Sequence, residues 1–203
     1  VNEYYPDGSL RIRTDARGYK TGNIYDVQGR LVETRVARVA GQDPLAAADA
    51  AVARTRYEYD DNGNRTAIVV YNAKSDGTEC RESRYEFGYD DANRQVWVKY
   101  PATGGAAPNM EWFAYDDYGN RKMHVDANGK VAKYFHDHLN RLWREEHHYR
   151  GELLRAIERS YDKSGNLEWV DDGATKIVYA YTTVADSPAP LNLLKRVDWY
   201  FAG

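Results

Sequence analysis

The sequence predicts an all-β fold, an antiparallel meander of β-hairpins with one short helical insertion. Three observations indicate it. An Asp followed three residues later by Gly or Asn recurs along the chain, aromatic residues alternate ahead of that Asp, and short β-branched runs follow the turn. From these signals we expect about sixteen short strands. We assign them to one module that covers residues 1–203.

The recurring Asp marks eight predicted turns. An Asp at the first position of a type I turn accepts backbone N–H groups, and a Gly at the fourth position enters the left-handed region and closes a three-residue hairpin loop. Asn tolerates positive φ almost as well, so it can replace Gly. A structural turn role is therefore assigned to Asp15 and Gly18, Asp26 and Gly29, Asp60 and Gly63, Asp90 and Asn93, Asp116 and Gly119, Asp126 and Gly129, Asp137 and Asn140, and Asp162 and Gly165.

Aromatic alternation predicts the strands that enter these turns. Tyr57 and Tyr59 precede Asp60, and Tyr85, Phe87 and Tyr89 precede Asp90. Residues two apart in a strand share one face of the sheet, so the rings are expected on a common side.

Residues 43–54 interrupt the meander. Their Ala content, with Asp43 as a candidate N-cap and Pro44 at the first helical position, predicts a short helix.

Composition argues against several classes of partner. The chain has 28 Lys and Arg against 31 Asp and Glu, a net charge of −3, and no basic block that favours nucleic acid. No apolar run reaches the roughly 20 residues that span a bilayer, so we expect no membrane insertion. Cys80 is the single cysteine, which rules out an internal disulfide and leaves the redox compartment open.

The phrases "YDDNGNR", "YDDYGNRKMHVDANGKVAKYFHDHLNRLW" and "YDKSGNL" resemble the YD repeats of bacterial Rhs proteins, which recur in toxin-complex subunits, wall-associated toxins and teneurins. The resemblance covers nearly the whole chain. It implies a fragment of a longer repeat array that forms a curved sheet or partial shell. It also implies a secreted or cell-surface location, with the rest of the shell and a toxin cargo domain as partners. No segment matches the family core that carries the Asp-Pro self-cleavage junction.

Catalytic and metal-binding interpretations are weaker than structural ones. The Asp pairs 60–61, 90–91, 116–117 and 171–172 could form acid–base dyads, but adjacent residues at a strand-to-turn junction diverge. The turns also resemble calcium loops, yet those place Gly at position six and Glu at position twelve. We therefore expect no catalytic residues, no cofactor and no enzyme activity.

A histidine cluster is the best candidate for a transition-metal site. His136, His138, His147 and His148 lie near Asp137 and Glu145. However, His136 occupies the position that holds Tyr59, Tyr89 and Tyr115 in other repeats. His147 and His148 face opposite sides if their strand is regular. We expect no metal.

Exposed aromatic residues suggest two further kinds of partner. Trp97, Trp112, Trp143, Trp169 and Trp199 could stack on cell-surface glycans, which makes carbohydrate recognition the alternative function, or they could stabilise the sheet as cross-strand pairs. The terminal strands, near "EYYPDG" and "KRVDWYFAG", would present unpaired edges. They predict a homodimer formed through these strands.

Overall fold

The computed structural model describes residues 1–73, 80–102, 109–182 and 193–201. Sixteen antiparallel strands follow one another in the sheet in the order of the chain, which confirms the predicted all-β meander. The strands are β1 (Asn2–Tyr4), β2 (Leu10–Thr14), β3 (Lys20–Tyr25), β4 (Leu31–Ala37), β5 (Val52–Tyr59), β6 (Arg65–Ala73), β7 (Cys80–Tyr89), β8 (Gln95–Lys99), β9 (Met110–Tyr115), β10 (Arg121–Val125), β11 (Lys130–His136), β12 (Leu142–Tyr149), β13 (Glu152–Tyr161), β14 (Leu167–Asp171), β15 (Thr175–Tyr181) and β16 (Leu194–Phe201).

The chain divides into two compact units, Val1–Met110 and Glu111–Gly203. Unit 1 holds β1 to β8. Unit 2 holds β10 to β16 and all of β9 except Met110. That residues 1–203 act as one module stays a prediction.

The helix predicted over residues 43–54 is wrong. Only Asp49–Ala51 form a helical element, a single 3-10 turn, and β5 already begins at Val52. Asp43 does accept the backbone N–H of Leu45 at 2.9 Å, as a cap would, but no α-helix follows. Helix propensity is a weak prior that tertiary contacts override. Here those contacts hold the segment flat against the sheet.

The insertion covers part of one face of unit 1 and buries apolar residues there. Pro44 is fully buried, and the side chain of Leu45 occupies the space above Gly22, where a Cβ would lie 2.6 Å from Leu45 Cδ2. Beneath the insertion, Ile12 and Val52 are 1% and 0% exposed. Full burial of such side chains contributes roughly 1.5–3 kcal/mol each. The insertion therefore takes the place of a second layer over β2 to β5.

Ion pairs anchor the same insertion. Asp49 contacts Arg54 Nη1 at 2.7 Å and Arg35 Nη2 at 3.0 Å. Glu33, only 8% exposed, accepts Arg35 Nε at 2.7 Å. A buried carboxylate is costly unless it is paired, and the arginines of two adjacent strands supply that pairing.

The described part of unit 2 has no covering segment comparable to the insertion. Its most buried apolar side chain there is Ala132, at 9% exposure, and most strand residues on both faces are half-exposed. Unit 2 therefore lacks a dry core on either side of the sheet among these residues.

The indole ring of Trp97 occupies the space that a side chain at Gly88 would fill. Gly88 pairs with Trp97 across β7 and β8, and a Cβ at Gly88 would lie 1.9 Å from the indole Nε1. The indole thus packs directly on the Gly88 backbone. Trp97 is therefore a cross-strand packing residue.

The left-handed turn residues can be tested by substitution. Gly63 and Gly119 have φ values of 85° and 89°, so Val at either position forces a β-branched residue into a strained conformation. We expect a loss of about 1–3 kcal/mol in the free energy of unfolding, measured by urea denaturation. Asn at the same positions should cost much less. Equal losses for Val and Asn would contradict the argument.

Candidate functional site at the turn edge

Six of the eight predicted turns connect an odd-numbered strand to the next even-numbered strand. We call this end of the sheet the turn edge. In unit 1 it carries the turns that begin at Tyr5, Asp26, Asp60 and Asp90, and in unit 2 those that begin at Asp116, Asp137 and Asp162. The turns at Asp15 and Asp126 lie at the opposite end.

All eight predicted turns share one hydrogen-bond pattern. At Asp60, the backbone N–H of Gly63 donates to the Asp60 carbonyl at 3.1 Å, and the Asp60 N–H donates to the Asn64 carbonyl at 3.0 Å. The Asp60 carboxylate accepts the Asn64 N–H at 2.8 Å. The fourth residue has positive φ in every turn, including Asn93 at 59° and Asn140 at 60°. The Asp carboxylate thus accepts backbone N–H groups that have no partner in the opposite strand because the chain turns there.

A fifth turn position, missed in the sequence, supplies a second bond to the same carboxylate. Six of the turns have Arg or Asn four residues after the Asp, and that side chain donates to Oδ2: Arg30, Asn64, Arg94, Asn120, Arg141 and Asn166. The repeated letters "GN" and "NR" in the quoted phrases were the available signal. All six turns lie at the turn edge.

The fifth residue also joins neighbouring hairpins. Arg30 donates to the Asp60 carbonyl at 3.2 Å. Asn64 Nδ2 donates to Asn93 Oδ1 at 2.7 Å, and Asn120 Nδ2 donates to Asn140 Oδ1 at 2.9 Å. Asn93 and Asn140 therefore do more than tolerate positive φ, because their amides accept bonds that a glycine could not.

In four hairpins of the turn edge, the Tyr before the turn Asp makes a second connection between hairpins. Its hydroxyl donates to the carbonyl of the first residue in the even strand of the preceding hairpin. Tyr59 reaches Leu31 at 2.8 Å, and Tyr161 reaches Leu142 at 2.8 Å. Tyr25 and Tyr89 do the same with Leu10 and Arg65, at 3.1 and 3.0 Å. The Tyr-Asp pair is thus a unit in which Asp closes its own turn and Tyr binds the one before.

Arginines of one turn also stack on the tyrosines of the next. The guanidinium of Arg30 lies 4.8 Å from the ring centroid of Tyr59, and that of Arg141 lies 4.6 Å from Tyr161. Such contacts are worth about 0.5–1 kcal/mol at exposed sites. They add a third kind of contact along the turn edge.

A further turn, which begins at Tyr5, was not predicted. Gly8 donates to the Tyr5 carbonyl at 2.9 Å, and Asp7 accepts the Ser9 N–H at 2.9 Å. The Asp stands at the third position here, so the search for Asp three residues before Gly missed it.

The hydrogen bonds keep the turn carboxylates ionised. The pKa of Asp26 lies below its usual value, chiefly because the Arg30 N–H donates to it, and that of Asp60 is lowered first by the Asn64 side chain. Desolvation raises the pKa of Asp137, but bonds from the Arg141 side chain and backbone outweigh it and bring the value to about 2. These carboxylates therefore already accept hydrogen bonds from their own turns.

The Asp pairs do not converge as dyads. Asp61, Asp91 and Asp117 are exposed second residues of turns whose first Asp is bonded inward. Asp171 and Asp172 both accept backbone N–H groups of the β14–β15 turn, from Gly173 and Thr175 respectively.

The histidines contact separate glutamates. His147 pairs with Glu145 and His148 with Glu146, each at 2.9 Å, and His124 pairs with Glu111 at 2.9 Å. Within the residues that the structure describes, no three His, Cys, Asp or Glu side chains could hold a metal ion. The side chain of Cys80 lies outside that description.

The tryptophans fall into two groups. Trp97 packs on Gly88, and Trp169 lies under Lys176, whose Nζ is 4.1 Å from the ring centroid. Trp112, Trp143 and Trp199 are 46%, 40% and 59% exposed.

Comparison with known proteins supports the fold. No protein-family model and no curated protein matches the chain. A crystal structure of TcdB2-TccC3 aligns with a TM-score of 0.65 at 13% identity, over 86% of this chain and 9% of that one. A structure of TcdB2-TccC3-Cdc42 gives 0.64 at 14%, with the same coverage. The chain thus spans about a tenth of these proteins. This likeness supports the resemblance to Rhs repeats at the level of the fold.

No described helix is long and apolar enough to cross a bilayer.

The turn carboxylates predict acid sensitivity. Asp137 protonates near 3.8 in the unfolded chain but only near 2 in the folded chain, so protons bind the unfolded chain preferentially between these values. Its stabilising contribution is complete above about pH 4 and is lost as the pH falls toward 2. In Asp137→Asn, the free energy of unfolding should depend less steeply on pH over this range, measured by urea denaturation. Equal slopes in wild type and Asp137→Asn would contradict the assignment.

Proposed function

We propose that the chain is a non-catalytic structural repeat module, a segment of a β-sheet shell that encapsulates or presents a toxin cargo. The shell would belong to a secreted or surface-displayed bacterial protein of the Rhs type. Its partners would be the rest of the repeat shell and the cargo domain.

The turn edge is the observation that carries this proposal. Four hairpins are bonded to the preceding one by a Tyr hydroxyl, as Tyr59 is to Leu31, and an Arg or Asn side chain bonds the following hairpin in three cases, as Arg30 bonds Asp60. A turn built this way stabilises its neighbour as well as itself, and such nearest-neighbour coupling is how repeat arrays are stabilised. The polar groups of these turns form hydrogen bonds within the chain. This arrangement favours a structural role over a catalytic one.

Two further findings support a place within a larger assembly. The described strands of unit 2 leave both faces of the sheet half-exposed, so this unit buries little apolar surface by itself. The TcdB2-TccC3 structures with the same fold are toxin complexes, and their shell is built of Rhs repeats.

Limited proteolysis of the intact parent protein tests the shell role. Gly63→Val together with Gly119→Val should open the wall, and the cargo should be cleaved at least tenfold faster than in wild type. The matched double Asn variant should protect the cargo nearly as well as wild type, since Asn accepts positive φ. Unchanged protection after residues 1–203 are replaced by a Gly-Ser linker of equal length would exclude the role.

Carbohydrate recognition is the second candidate function. It is favoured by the exposure of Trp112, Trp143 and Trp199, because an exposed indole can stack on the apolar face of a sugar ring. A glycan array separates the candidates. Reproducible binding that is lost in the Trp→Ala variants would support recognition, and Trp97→Ala serves as the control for a ring already packed on the sheet.

The terminal strands predict self-association. In β16, Trp199, Tyr200 and Phe201 are 59%, 56% and 75% exposed, and within the described residues this strand pairs only with β15. An aromatic edge strand is a template for pairing with another chain. We expect a two-fold dimer at high concentration, detected by light scattering coupled to size exclusion, and its loss in Trp199→Lys or Phe201→Lys. A monomer at every concentration, or a dimer indifferent to both changes, would contradict this.

A further inference from the structure

One position at the turn edge departs from the tyrosine pattern. Residue 136 directly precedes the turn Asp137, where other hairpins have Tyr25, Tyr59, Tyr89 or Tyr161, but it is a histidine. In those hairpins the Tyr hydroxyl bonds the first carbonyl of the even strand in the preceding hairpin. The corresponding carbonyl for His136 is that of Arg121, the first residue of β10. Imidazole is shorter than phenol and carries no hydroxyl.

A cavity lies where that ring is missing. Tyr115, Arg121, Tyr134 and His136 line an open cavity of about 440 Å³. His136 makes no hydrogen bond to any residue that the structure describes. The substitution thus leaves both a space and a carbonyl without its usual hydroxyl donor.

Two other polar groups that line the cavity lack a hydrogen-bond or carboxylate partner among the described residues. The half-buried hydroxyl of Tyr134 has no hydrogen-bond partner in the described part of the chain. Burial raises the pKa of Tyr134, so this hydroxyl keeps its proton and can donate. The guanidinium of Arg121 pairs with no described carboxylate and lies 4.6 Å from the ring centroid of Phe113.

Two carboxylates that interact electrostatically with residues of the cavity, Asp116 with His136 and Glu145 with Tyr134, are already bonded elsewhere. Asp116 accepts both the backbone and the side-chain amide of Asn120, at 2.8 and 3.0 Å. Glu145 lies 2.9 Å from His147 Nε2 and accepts a hydrogen bond from Arg159 at 3.0 Å. Arg121 is therefore the cation left available to a ligand.

Unit 1 has a tyrosine at the position equivalent to His136. There Tyr89 stands in the position of His136, and its hydroxyl donates to the Arg65 carbonyl at 3.0 Å. Phe87 stands in the position of Tyr134 and brings no hydroxyl. Compared with this position in unit 1, the cavity at His136 therefore lacks the hydroxyl that donates to the Arg carbonyl. It has instead the Tyr134 hydroxyl, where unit 1 has the ring of Phe87.

We propose that the cavity at His136 binds an acidic sugar residue, such as a uronic acid. A ring hydroxyl of the sugar donates to the Arg121 carbonyl, as the tyrosine does elsewhere. The sugar carboxylate accepts from the Arg121 guanidinium, and the Tyr134 hydroxyl donates to a second sugar oxygen. The rings of Tyr115 and Tyr134 flank the apolar face of the sugar. The site includes no tryptophan and does not depend on the shell role.

Titration of the whole chain with sodium glucuronate, followed by NMR, tests the proposal. We expect saturable shifts with a Kd on the order of 1 mM, which corresponds to about −4.1 kcal/mol. Glucose, which lacks the carboxylate, and acetate, which lacks the ring, should each bind at least tenfold more weakly. Acetate binding as tightly as glucuronate, or no saturable shift up to tens of millimolar, would overturn the proposal.

Substitutions locate the site without disrupting the fold. His136→Tyr restores the repeat residue, narrows the cavity and places a hydroxyl against the Arg121 carbonyl, so it should weaken glucuronate binding at least tenfold while leaving the circular dichroism spectrum unchanged. Tyr134→Phe reproduces Phe87 and should weaken binding severalfold. Tyr59→Phe, which removes a hydroxyl that donates to the Leu31 carbonyl and lines no part of the cavity, is the matched control and should bind as wild type does. Wild-type affinity in His136→Tyr would overturn the proposal.

Discussion

The carboxylate of the turn Asp is the interaction on which this structure depends. One oxygen accepts the backbone N–H four residues ahead, as Asp60 accepts Asn64 at 2.8 Å, and the positive φ of the fourth residue makes that geometry possible. The hairpin register is thereby fixed at its closed end. Because side chains alternate between faces, this register also decides which residues of both strands lie on each face.

Fixed register allows one hairpin to bind the next. The Tyr hydroxyl finds the carbonyl of the preceding hairpin because both lie at set distances from their own turns, and Tyr161 on Leu142 repeats the geometry of Tyr59 on Leu31. The fifth-position Arg or Asn depends on the same spacing. Within each unit, successive local turns thus become a seam of nearest-neighbour contacts, which stabilises a sheet that has little buried core in unit 2.

The departures from the repeat give each unit its individual features. The insertion between β4 and β5 covers part of one face of unit 1 and buries Ile12 and Val52. Gly88 makes room for the indole of Trp97. His136 replaces a tyrosine and opens a cavity beside Arg121. At His136 the Tyr contact is lost, but the Asp137 turn and the bond from Asn120 to Asn140 remain, so the meander stays intact.

The sequence by itself determined the all-β meander and indicated the turn positions, because a turn is decided by residues within four positions of one another. The partners of those turns lie further off: Tyr59 bonds a carbonyl 28 residues earlier, and Asn64 bonds an amide 29 residues later. These contacts follow from strand order and register, which composition does not specify. The helix predicted over residues 43–54 was wrong for the same reason. Local propensity favoured it, but the burial of Pro44 and the pairing of Asp49 with Arg35 and Arg54 exist only once the sheet has formed.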